Sequence, residues 1–82
     1  MIRQDKHDRA LDAINAVLVH VRMMVASRAP YEDLLAVLDT AEYLPTLFLR
    51  RDDQTDHFRA VLSENAQKFP AFQAALERFD KP

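Results

Sequence analysis

Not one of the 82 residues is glycine. A phosphate-cradling loop, a dinucleotide-binding fingerprint and a tight primed hairpin each need glycine at fixed places, where the backbone turns through positive φ or approaches a ligand closely. The sequence thus argues against all three. What remains is read from the spacing of apolar residues.

In the stretch Asp8–Arg28 and the residues just before it, His7, Leu11, Ile14, Leu18, Val21 and Val25 alternate steps of four and three, the period of a helix. A second row, Ala10, Ala13, Val17 and Met24, widens the stripe beyond what one neighbour can cover, so this helix is predicted to lie between two others. Its start is placed near Asp5 or Asp8, where acidic residues suit the helix dipole, although Arg3, Lys6 and Arg9 dilute that signal. It is predicted to end before Pro30, which fits the first position of a new helix.

The second unit carries Tyr31, Leu34, Leu38, Ala41, Pro45 and Phe48 at the same spacing, so its stripe runs through a proline. A break is predicted near Tyr43 to Leu44, because a residue before proline disfavours the α region, with a short helical turn from Thr46 to Arg50. After the polar cluster Asp52, Asp53, Gln54 and Thr55, with Thr55 as the expected N-cap, a third stripe follows. It runs Phe58, Leu62, Asn65, Phe69, Phe72, Leu76 and Phe79, and Pro70 either kinks it or opens a separate helix. No run alternates with the period of a strand. The expected fold is all-α: a small antiparallel, up-down-up bundle of three helical units, the second and third kinked or broken at Pro45 and Pro70.

Residues 1–82 make one domain, near the size of about 70–80 residues at which a single core becomes self-sufficient, so marginal stability is expected. Hydrophobic residues at 49% and charged residues at 29% are the balance of a folding chain, not a disordered one. With no cysteine there is no thiolate metal site or thiol nucleophile. The opening residues lack the basic and then apolar pattern of an export signal, and a cytoplasmic location is expected. The apolar run from Ile14 to Ala26 is shorter than the about 20 residues a membrane span takes.

Candidate chemistry is sparse. His7, His20 and His57 never fall at the i, i+4 spacing of helical metal ligands. Asp53, Asp56 and His57 come closest, but carboxylates there also suit a helix start, so no metal and no cofactor is expected. Ser27 and Ser63 have no base or turn motif placed beside them, and no catalytic residue is assigned. Asn65, on a core stripe, is a candidate for fixing helix register. The basic pair Arg50 and Arg51 is cancelled by Asp52 and Asp53, and with a net charge of −2 the sequence argues against nucleic acid.

The feature that asks for a partner is a second apolar patch. Ala16, Val19, Met23 and Ala26 point away from Ile14 at 100° per residue, and Tyr43 and Leu47 lie off the stripe of the second unit. These six residues are the expected interface of a non-enzymatic interaction module, foremost a homodimer, with a heterologous protein as another possible partner. The alternative is a small dimeric enzyme or ligand-binding protein whose pocket between helices is lined by Arg22, Arg50, Arg51 and Arg59, with Tyr31 or Tyr43.

Overall fold

The computed structural model describes residues 5–80. Arg3 lies outside the described residues. All regular structure among them is helical: α1 (Lys6–Ala26), α2 (Tyr31–Leu38), a 3₁₀ segment (Asp39–Tyr43), α3 (Leu44–Phe48), α4 (Asp52–Asn65) and α5 (Pro70–Asp80). The fold is all-α, as expected.

Local chemistry sets most of the boundaries. Asp5 caps α1, its carboxylate accepting from the backbone N–H of Asp8 at 2.9 Å. At the other end, the N–H of Arg28 bonds to Val25 O and that of Ala29 to Met24 O, closing a Schellman turn. That turn needs a left-handed residue; lacking glycine, the chain uses Arg28 at φ 57°. Arg50, at φ 56°, serves the same purpose after α3.

Both prolines interrupt helices, in different ways. Pro70 is the first residue of α5, where its missing N–H costs nothing. Pro45 sits in the first turn of α3. The residue before it, Leu44, is helical after all, at φ −53° and ψ −48°. The local steric preference is overridden because Leu44 donates its N–H to Ala41 O and packs on the core. The start of α4 also departs from expectation. Arg51 is the N-cap, Asp52 and Asp53 occupy the first turn, and Thr55 is fully buried inside the helix.

The chain makes four passes. Lys6 of α1 pairs with Asp52 and Asp56 at the start of α4, and the Arg9 side chain donates to Phe79 O near the end of α5, at 2.8 Å. At the opposite end, Met23 and Met24 share a cleft with Phe69, Pro70 and Ala71. The second unit therefore returns along α1, α4 runs alongside it, and α5 comes back after the turn at Pro70. The expected break at Pro70 is used for a full reversal, which Arg59 and Asp80 span at 2.8 Å.

α1 packs most extensively against α5. The core joins Ala10, Ala13, Ile14 and Val17 to Val37, Leu47, Phe58, Leu62, Ala71, Phe72, Ala75 and Phe79. The stripe on α1 is thus centred on the alanine row, rotated from the larger aliphatics, and Leu18 and Val25 are left exposed. In the second unit the stripe is displaced as well: Leu47 is 0% exposed, whereas Phe48 is 66% exposed.

Candidate interaction surface

The two ends of the bundle carry different chemistry. Around the start of α1, Lys6 lies 3.3 Å from Asp52 and 3.2 Å from Asp56, while Arg50 pairs with both Asp5 and Asp8. Asp12 meets Arg78 at 3.7 Å, and Arg59 grips Asp80 through two nitrogens. The Asp8 N–H and then Arg50 hold the Asp5 carboxyl below the usual range. Lys6 does the same for Asp52, and Arg59 for Asp80; in return Asp56, followed by Asp52, raises the Lys6 ammonium.

One cluster at this end has the connectivity of a catalytic triad. Asp52 Oδ1 is 2.9 Å from His7 Nε2, and His7 Nδ1 is 3.3 Å from Thr55 Oγ1. A carboxylate only accepts, so Nε2 carries a proton; in the neutral ring Nδ1 accepts from the hydroxyl. Access decides its role. Thr55 is completely buried, so no substrate reaches its oxygen, and the arrangement ties α1 to α4 without a reacting atom.

The other end is apolar. From Ala13 to Ala26, α1 bears one formal charge, Arg22. Among the described residues, Arg22, Arg28, Asp33 and Lys68 make no ion pair. Exposed here are Leu18, Val19, Met23 and Val25 of α1 and Tyr31, Leu35 and Leu38 of α2.

Of the six residues expected at an interface, Val19 is 50% exposed and Met23 60%, and Ala26 is exposed at the helix end. Ala16 is half-buried and packs on the core, facing the groove it shares with Ala74 of α5. Leu47 is corrected outright: it is a central core residue and presents nothing to another chain. Tyr43 is half-buried, its ring 5.5 Å from Phe58 and 5.7 Å from His57, so it seals the core edge.

The four arginines of the alternative reading are held in different ways. Arg22 lies on the exposed far half of α1; Arg51 caps α4; Arg50 and Arg59 are each held by carboxylates. None of them lines any of the three clefts of the surface described here. Tyr31 is exposed. Ser27 donates to Met24 O at the end of α1, His20 Nδ1 contacts Ala16 O, and Asn65 Nδ2 donates to Val61 O. Among the described residues no group of three metal-ligating side chains converges, Asp53, Asp56 and His57 included. No described helix is long and apolar enough to cross a membrane.

Two clefts escaped sequence reasoning. One, of about 350 Å³, lies beside His20, Met23, Met24, Asp33 and Lys68 over the Phe69 to Ala71 turn. The other, of about 390 Å³, opens between the 3₁₀ segment and α4, floored by Phe69 and Phe72. The only signal for the second was the pair Asp39 and Glu42, three apart on a segment with no basic residue. No family model, curated protein or solved structure matches this chain.

Proposed function

We propose that the protein is a cytoplasmic, non-enzymatic helical interaction module that self-associates through the outward face of α1, centred on Val19 and Met23. The observation that carries this reading is the coincidence of exposure and neutrality. Val19 and Met23 stand 50% and 60% exposed on a half-helix whose single formal charge is Arg22. A highly charged partner would find only Arg22 to pair with on such a face. A second copy meets it with Arg22 as the one charge repeated across the contact, little repulsion for a two-fold, self-complementary interface to accommodate. The domain is also small enough that extending its core across an interface adds materially to its stability.

The test is light scattering coupled to gel filtration. At tens of micromolar the chain should elute as a dimer of 9.5 kDa subunits. Replacing Val19 and Met23 together with Glu buries like charges across the two-fold and should give monomers. A parent mass of one chain at that concentration removes the proposal. A double-Glu variant that stays dimeric moves the interface elsewhere, onto Leu35 and Leu38.

A further inference from the structure

The cleft beneath the 3₁₀ segment is lined by no part of α1, so it is independent of the proposed self-contact. Its volume of about 390 Å³ falls within the range of small-ligand sites, about 300–1,000 Å³. In a 3₁₀ helix residues i and i+3 eclipse one another, which stacks Asp39 over Glu42 along one edge of the opening. Among the described residues neither carboxylate makes an ion pair or side-chain hydrogen bond, and none of those that line the cleft is a lysine, arginine or histidine.

The uncharged lining points the same way. Thr40 spends its hydroxyl proton on Val37 O at 2.7 Å, and Asn65 donates its amide to Val61 O at 2.8 Å. Their oxygens keep free lone pairs. Apart from the Tyr43 hydroxyl, which does either, and the second N–H of the Asn65 amide, the side-chain hydrogen-bonding capacity that remains here is acceptor. The rings of Tyr43, Phe69 and Phe72 complete the walls, the last two edge-to-face at 5.4 Å. A site rich in acceptors and bounded by aromatic rings, with two uncompensated negative charges at its mouth, is complementary to a donor-only cation.

The geometry points to a binding site for an organic cation, a guanidinium or primary ammonium group, held by Asp39 and Glu42 and laid against Tyr43 and Phe69. The surrounding chain steers such a group inward. Tyr31–Tyr43 contains Glu32, Asp33, Asp39 and Glu42 and no Lys or Arg. The cation belongs either to a free amine or to a basic side chain of another protein.

Titrations of isotope-labelled protein followed by amide chemical shifts test this, with agmatine as the free amine and N-acetyl-arginine amide as the side-chain mimic. Saturable shifts confined to residues 36–43 and 61–72 are expected. Asp39→Asn with Glu42→Gln should weaken binding at least tenfold, and Glu42→Gln alone severalfold, which keeps the test open should the double variant fold poorly. Binding by both probes assigns the site to free amines as well as side chains; binding by the arginine amide alone assigns it to a protein partner. Non-saturating shifts with both probes, unchanged affinity in the variants, or equal displacement by potassium or magnesium chloride overturns the proposal.

Discussion

The end of the bundle where α1 begins and the end where it finishes are built from the same helices and stabilised by different means. At the first, carboxylates and cations from α1, α4 and α5 interlock over a buried Thr55 and a largely buried His7. At the second, ion pairs give way to Met23, Met24, Phe69 and Phe72, with apolar side chains left facing outward. The lesson is a division of labour. Exposed ion pairs contribute little stability, about 0–1 kcal/mol each, but they fix which helix ends meet. Apolar contact supplies the energy and, where it is left uncovered, the capacity to bind.

The largest expected effect separates the two means directly. Phe72→Ala empties a nearly fully buried site near the apolar end and should cost about 3–5 kcal/mol, a large part of a small domain's stability. Arg59→Ala, which breaks the pair with Asp80, should cost less than about 1 kcal/mol. Urea denaturation of the two variants makes the comparison. Equal losses would mean that the charged end is energetically the equal of the core.

A smaller effect sets one left-handed arginine against the other. Arg28 makes no ion pair among the described residues, so Arg28→Gly relieves about 1–2 kcal/mol of left-handed strain against the about 0.4–1 kcal/mol by which a glycine frees the denatured chain, a net gain of about 0.5–1 kcal/mol that should raise Tm by about 2–8 °C. Arg50→Gly relieves the same strain but forfeits Asp5 and Asp8, and its gain should be smaller or absent. Calorimetry showing equal gains would demonstrate that the Arg50 pairs are energetically idle.

Acidity should produce the smallest change, and only at one end. Asp5, Asp52 and Asp80 have folded pKa values below their unfolded ones, so their contribution is complete above the unfolded value, about 4, and is lost as pH falls through the folded values. Lys6, raised in the fold, contributes below about pH 10.4 and loses this above it. Hydrogen exchange at pH 3 should therefore show earlier loss of protection at residues 6–9 and 52–56 than at 70–73. Uniform loss would contradict the division between ends.

Sequence spacing alone identified the helices and the interruptions at Pro30, Pro45 and Pro70, because apolar stripes and missing donors act locally. It placed the faces less well, for two physical reasons. On α1, hydropathy favours the bulky Leu18 and Val25, whereas contact with α5, itself carrying Ala71 and Ala75, selects the small row of Ala10 and Ala13. In the second unit, five residues of 3₁₀ helix turn by 120° each instead of 100°, advancing everything after them by about 100°. That rotation carries Leu47 into the core and Phe48 out of it. Of the expected interface, Val19, Met23 and Ala26 remain exposed, while beyond the shift Leu47 is buried in the core and Tyr43 is half-buried at the cleft. The cleft at Asp39 and Glu42 needed α4 and the Pro70 turn opposite, which no local pattern specifies.

The left-handed arginines also bear on what the chain becomes when it unfolds. An average protein of 82 residues would hold about six glycines, each enlarging the range of shapes open to the denatured chain. This chain holds none, and at about 0.4–1 kcal/mol for each such replacement the disorder released on unfolding is correspondingly reduced. Backbone strain at Arg28 and Arg50 is thus localised, while the narrowing of the denatured ensemble is spread over the whole chain. A small core need oppose less entropy to stay folded, and a denatured chain that wanders less has a shorter search on the way back.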